Sequence, residues 1–135
     1  MIGQQQKDQA EKWFKDLRDR ICEEFEILEE DHLKLAPKSD AAAKKFERKS
    51  TIRETEDKED GGGGVMATLK GGRIFEKVGV NVSAVYGNLA PEAQKSITAR
   101  KAIPELKDDP RFWASGISLV AHMRNPHTPA IHLNT

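Results

Sequence analysis

Apolar and polar positions change their period along this chain, and each change marks an element. From about Gln6 to Glu30, Trp13, Phe14, Leu17, Ile21, Phe25 and Leu28 recur at spacings of three and four, the stripe of an amphipathic helix. Pro37, Ser39 and Asp40 end that unit, so a helical segment is expected within 6–36 and a linker after it. Ala41 to Lys45 reads as a short helical turn. Phe46 to Glu54 alternates weakly and predicts a strand, followed by a charged loop at Glu56 to Asp60. Val65 to Leu69 and Ile74-Phe75 read as a hairpin around Lys70-Gly71-Gly72-Arg73. Val78, Val80, Val82, Ala84 and Tyr86 alternate with Gly79, Asn81 and Ser83, a clear strand pattern. A short helix is expected near 91–100, with Pro91 in its first turn, then a loop at Lys107 to Pro110. Phe112 to His122 and Ala130 to Asn134 complete the strands. Strands that follow one another through turns favour an antiparallel sheet, so 46–135 reads as mostly sheet and 1–135 as one α+β unit.

The closing segment, Ser118 to Thr135, carries the most chemistry. Pro126 and Pro129 in Asn125-Pro126-His127-Thr128-Pro129 cannot sit inside a helix or a central strand, so they mark a turn between two alternating runs. In the hairpin so formed, His122 and His132 lie equally far from a tip near His127 and are expected as cross-strand neighbours. Ser118, His122, His132 and Asn134 share one parity and should project from one face, with Val120 the apolar exception. Ile117, Leu119, Ala121, Ile131 and Leu133 share the other parity and should face a core. A histidine at a strand end is usually a plain surface residue, but imidazole titrates near neutrality and passes protons either way, and four polar groups on one face sharpen the case. Two histidines also make half a metal site, since most protein sites use three or four ligands.

Composition narrows the class. Among 135 residues, Lys plus Arg and Asp plus Glu each number 22, so net charge argues for neither nucleic acid nor an acidic membrane surface. The single cysteine, Cys22, excludes an internal disulfide and suits a reducing, cytoplasmic compartment. No apolar run approaches the ~20 residues of a membrane span, and the first residues lack the apolar centre of a signal peptide. Gly61 to Gly64 form neither a dinucleotide fingerprint nor a P-loop; they read either as a flexible turn or as a place where backbone closely approaches a ligand or another strand. Arg73, Lys77, Arg100 and Arg124 could attract an anion, although scattered cations are normal on any surface.

Two sets of residues together carry a family resemblance. The run Ser118-Leu119-Val120, His122, Asn125-Pro126, Pro129, His132 and Asn134 is similar to a signature of oxygen-dependent coproporphyrinogen III oxidase. Upstream, Gly61 to Gly64, Gly72 with Phe75-Glu76-Lys77, Gly79-Val80-Asn81 and Tyr86-Gly87 resemble the same family's glycine-rich region, so the likeness covers roughly 46–135. The family's chains are about twice as long, and this one is read as an amino-terminal part. The resemblance implies a large, flat antiparallel sheet with helices on both sides, in a homodimer. It implies an oxidoreductase acting on CH–CH groups with oxygen as acceptor, converting coproporphyrinogen III to protoporphyrinogen IX in haem biosynthesis. No organic cofactor is implied, oxygen is co-substrate, and a divalent metal of unknown identity is possible. Residue by residue, it gives His132 the role of proton donor, and Ser118, Asn134 and Thr135 that of holding substrate. His122 and His132 become tentative metal ligands. The alternative is a non-catalytic sheet module that binds porphyrinogen or pairs through an open edge.

Overall fold

The computed structural model describes residues 2–38, 41–101 and 103–135. Helix α1 spans Gln4–Leu35 and is followed by strands β1 (Glu47–Glu54), β2 (Asp60–Lys70) and β3 (Phe75–Asn88). Helix α2 (Pro91–Arg100) and a 3-10 turn (Pro104–Lys107) lead to β4 (Arg111–Met123) and β5 (Ile131–Asn134). The strands form one antiparallel sheet in the order β1-β2-β3-β4-β5, each beside its predecessor. The expected α+β class and antiparallel sheet are therefore present.

Alternation explains the core. Val78, Val80 and Val82 on β3 stand opposite Ala121, Leu119 and Ile117 on β4, and all six are buried. Ala67 and Leu69 of β2 extend this face, and α1 lays Phe14, Leu17, Ile21, Cys22 and Phe25 across it. The Phe25 ring stacks on Phe75 at 4.7 Å between centroids. Among the described residues only α1 makes substantial helix contact with the sheet, so the opposite face is uncovered.

Several expectations are corrected. Ala41 to Lys45 forms no helical turn, and Ser39 and Asp40 lie outside the described residues. The four glycines lie inside β2, where Gly63 and Gly64 pair with both β1 and β3 and Gly62 pairs with β3. A Cβ on Gly63 would collide with the Thr51 carbonyl oxygen, so close approach of neighbouring strands, not turn-making, requires glycine there. Trp13 and Leu28 of the expected helix stripe are 58% and 46% exposed, and the buried stripe instead includes Arg18, Cys22 and Glu29. Arg18 fits because Asp19 accepts its Nε–H at 2.9 Å, while Arg48 of β1 reaches the same carboxylate.

Glu29 ties the helix to the β2–β3 turn. Its side chain is fully buried and accepts backbone N–H bonds from Arg73 (2.6 Å), Ile74 (2.8 Å) and Phe75 (3.0 Å), with a longer one from Lys44 (3.4 Å). Burial pushes this carboxyl up, but the backbone donors of Arg73, Phe75, Ile74 and Lys44 outweigh it and hold the group below its ordinary value. Gly72 lies so close that a Cβ there would sit 2.5 Å from Glu29 Oε1. Arg73 is buried too, and its guanidinium donates to His32 Nδ1 and to the carbonyls of Ala36 and Ala41 at the helix exit. This cation serves the fold and does not face solvent, contrary to its reading as a possible attractor of anions.

Candidate active site

The β4–β5 hairpin is built around its prolines. Asn125 Oδ1 accepts the His127 N–H at 2.9 Å, and the Asn125 carbonyl accepts the Thr128 N–H at 3.1 Å, a turn that puts Pro126 at its first corner. Pro129 has no N–H to give a ladder, and β5 starts only at Ile131. The hairpin axis consequently falls one residue earlier than alternation about His127 suggests. His132 stands opposite Val120, Ser118 opposite Asn134, and His122 opposite Lys77 of β3. His122 and His132 are thus diagonal neighbours rather than a direct pair, with Cα atoms typically ~7–8 Å apart in such an arrangement.

The shared face is as expected. Cross-strand partners project to the same side, so Ser118, Val120, His122, His132 and Asn134 all stand on the uncovered face. Both histidines and Asn134 are exposed, and Ser118 is half-buried. Ile117 and Thr135 exchange backbone hydrogen bonds at 3.0 and 3.1 Å. The Ser118–Asn134 and Val120–His132 pairs therefore fall at the closer, non-bonded positions of the ladder. By the same alternation the Thr135 side chain belongs to the other face, with Ile117.

That other face is less buried at the edge than expected. Ile117, Leu119 and Ala121 are covered, but Ile131 and Leu133 are 47% and 46% exposed because α1 does not reach β5. The strand is an open edge with two bare aliphatic side chains.

Register carries the polar face across the sheet. One row runs Met66, Asn81, Ser118, Asn134; the next runs Thr68, Gly79, Val120, His132; a third runs Lys70, Lys77, His122. Asn81 is not among the site candidates that the sequence singles out, although the alternation that identifies β3 places it on the side opposite Val80 and Val82. The hydroxyl, amide and imidazole groups of this face can donate or accept hydrogen bonds, and the imidazoles can move protons. Among the described residues no three His, Cys, Asp or Glu side chains come together as a metal-binding group. Two diagonal imidazoles do not complete such a site by themselves.

A broad cleft lies elsewhere. About 1150 Å³ opens at the far strand ends, beside Arg53, Asp60, Tyr86, Arg111 and Phe112, and includes none of the five site residues. Phe112 and His122 are ten residues apart on β4, roughly 33 Å along a strand. Several of its polar groups are partnered. The Tyr86 hydroxyl donates to Asp60 at 2.6 Å, Arg53 donates to the Tyr86 carbonyl, and hydrogen bonds from Arg111 hold the Asp109 carboxyl at about 2. Ser118, His122, His132 and Asn134, singled out from the sequence, lie on the open sheet face and not in this cleft.

A family profile described as coproporphyrinogen III oxidase matches residues 9–135. Across 129 residues the chain is 43% identical to the oxygen-dependent coproporphyrinogen-III oxidase of Rickettsia felis, covering 96% of this chain and 41% of that protein. The protein of the same name from Rickettsia peacockii is 42% identical over the same shares. That of Rickettsia bellii (strain RML369-C) is 40% identical over 134 residues, 99% of this chain and 43% of the relative. The chain spans about two-fifths of the length of these curated relatives.

Proposed function

The chain belongs to the coproporphyrinogen III oxidase family, and from that premise we propose that it supplies the amino-terminal sheet of an oxygen-dependent coproporphyrinogen III oxidase of haem biosynthesis. One observation carries the reading: proton-moving and hydrogen-bonding side chains from β4 and β5 gather on the one sheet face that α1 leaves bare.

In this reading the propionates on two pyrrole rings of coproporphyrinogen III become vinyl groups. Each conversion breaks the bond to the carboxylate and releases carbon dioxide, one proton and two electrons. Oxygen takes the electrons and must also take up protons. His132, exposed on that face, is suited to supply one, because imidazole exchanges protons near neutral pH. Ser118 and Asn134, opposite one another on adjacent strands, offer hydroxyl and amide groups to a substrate held flat against the sheet. Thr135, whose side chain stands on the other face and whose backbone N–H and carbonyl bond Ile117, is given no contact on this face. A divalent metal at His122 and His132 would need further ligands from outside the described residues, and no step is assigned to it. Homodimerisation and a cytoplasmic location belong to the same proposal. No described helix is long and apolar enough to cross a membrane.

The test is aerobic turnover of coproporphyrinogen III, read as protoporphyrin fluorescence after oxidation, in this chain and in one extended to its relatives' length. Activity confined to the long form is the expected result, and activity in neither would overturn the enzyme reading. A second reading, a sheet module that pairs through β5 without turnover, draws on the bare Ile131 and Leu133 at that edge.

A further inference from the structure

We propose that Lys70 and Lys77 anchor a carboxylate of the substrate, and that the bare sheet surface over Gly79 beside them receives its ring. The proposal rests on the reading of the chain as part of a coproporphyrinogen oxidase.

Three observations support it. Lys70 of β2 stands directly opposite Lys77 of β3, which in turn stands opposite His122 of β4, so three basic side chains project in one row from the open face. Like charges directly opposite one another cost stability in a sheet. All three groups are exposed, and among the described residues neither lysine makes an ion pair or a side-chain hydrogen bond. Lys12, Lys15, Lys34 and Lys45 of this chain do find carboxylates. Glu76, the extra residue of the bulge beside Lys77, is exposed and pairs with neither lysine, while Arg124 at the same end is engaged by the Gly72 carbonyl. An arriving carboxylate would be shared by two ammonium groups whose mutual repulsion it relieves.

The second observation is Gly79. A Cβ there would meet nothing within 4 Å, so the face is bare at this point. The third is what surrounds it. Along β3, Gly79 has Lys77 on one side and Asn81 on the other, roughly 13 Å apart for four residues. Across the sheet it lies between Thr68 and Val120, with His132 beyond. A cationic edge, a flat centre and an opposite edge of Asn81, Ser118 and Asn134 suit a broad ring bearing carboxylates, which a narrow or fully apolar ligand would not use.

The experiment uses a chain of the relatives' length. In steady-state turnover, Lys70→Gln and Lys77→Gln should each raise KM for coproporphyrinogen III about tenfold, the scale of one hydrogen bond to a charged group, with kcat changed little; Lys77→Arg should restore KM. Binding of coproporphyrin III and of its tetramethyl ester is followed in parallel by fluorescence. The native protein should prefer the acid, and the two glutamine variants should lose that preference. Gly79→Leu, which has room without disturbing the sheet, should weaken both porphyrins while circular dichroism stays unchanged. Unchanged KM and preference in the glutamine variants, with turnover intact, would overturn the anchor alone. Equal weakening of acid and ester in those variants would also overturn it. Full porphyrin affinity in Gly79→Leu would overturn the ring's placement, whereas absent turnover in the native protein would overturn the enzyme reading and leave the binding comparison to judge the anchor.

Discussion

Replacing Glu29 with alanine should cost this chain more stability than any single change on its surface. The carboxylate is the sole acceptor described for the backbone N–H groups of Arg73, Ile74 and Phe75, at 2.6, 2.8 and 3.0 Å, in a turn where Arg73 and Phe75 are buried. Alanine leaves three donors without that acceptor. At about 1–3 kcal/mol for each unsatisfied buried group, and allowing water to reach one of the three, the loss should be about 2–6 kcal/mol. Small domains have only about 5–15 kcal/mol in total, so the variant should lose a large share of its stability. Glutamine should cost less: its carbonyl can still accept from Ile74 and Phe75, but its NH2 group then faces the Arg73 and Lys44 amides, donor against donor. The assay is urea denaturation followed by circular dichroism, with hydrogen exchange at the 73–75 amides as a local readout. The pH dependence follows from the same group. Its folded carboxyl lies below the ordinary value of 4.5, so its stabilisation is complete above that value and is lost as pH falls through the folded one. The gap between native protein and Glu29→Gln should therefore shrink on acidification. A Glu29→Ala variant within about 0.5 kcal/mol of the native protein, the scale of an ordinary surface substitution, would refute the reasoning.

The other predictions concern separate parts of the molecule. In a catalytically competent chain, His132→Ala should cut turnover of coproporphyrinogen III by about 10²-fold or more, the scale for losing a general acid, and a full-rate variant would remove that role. Cys22 is buried and its thiol is pushed up to about 11, chiefly by burial, so at pH 8 a disulfide reagent should label it only once denaturant is added; rapid labelling of the folded chain would contradict that placement. Gly63→Ala should lower stability by about 1–3 kcal/mol, because its Cβ would press on the Thr51 carbonyl of β1, and an unchanged urea midpoint would show that the strands can part there. Charged residues at both Ile131 and Leu133 should reduce self-association of the isolated chain in sedimentation, where no change would argue against β5 as a sticky edge.

Elements with a strong period are readable from the sequence, and those governed by distant contacts are not. β3 announces itself through Val78, Val80 and Val82, and α1 through Phe14, Leu17, Ile21 and Phe25, because burial on one side imposes the repeat. Trp13 and Leu28 fit the same repeat yet lie at the margin of what the sheet covers. Glu29 reads as one more charge on a charged helix, since nothing local reveals that its partners are 44 to 46 residues away. The glycine run stays open between a turn and a close strand approach, because composition cannot report how closely β1 and β3 come to β2. The shared face of Ser118, His122, His132 and Asn134 follows from parity alone, whereas their register depends on where the proline turn closes. A shift of one residue in the turn's centre separates the two histidines while leaving both on the same side.

The strand order also has a consequence for how the chain is made. Because each strand pairs only with the one before it, the sheet can grow by addition as residues leave the ribosome, without waiting for a distant segment. The exception is α1, synthesised first but lacking most of its apolar partners until β3 and β4 exist. Glu29 meets its backbone donors once residues 73–75 emerge, when β2 is complete and β3 is only beginning. The buried carboxylate is thus placed to act as an early clasp, recruiting the waiting helix to the nascent hairpin before the rest of its greasy stripe has anything to cover.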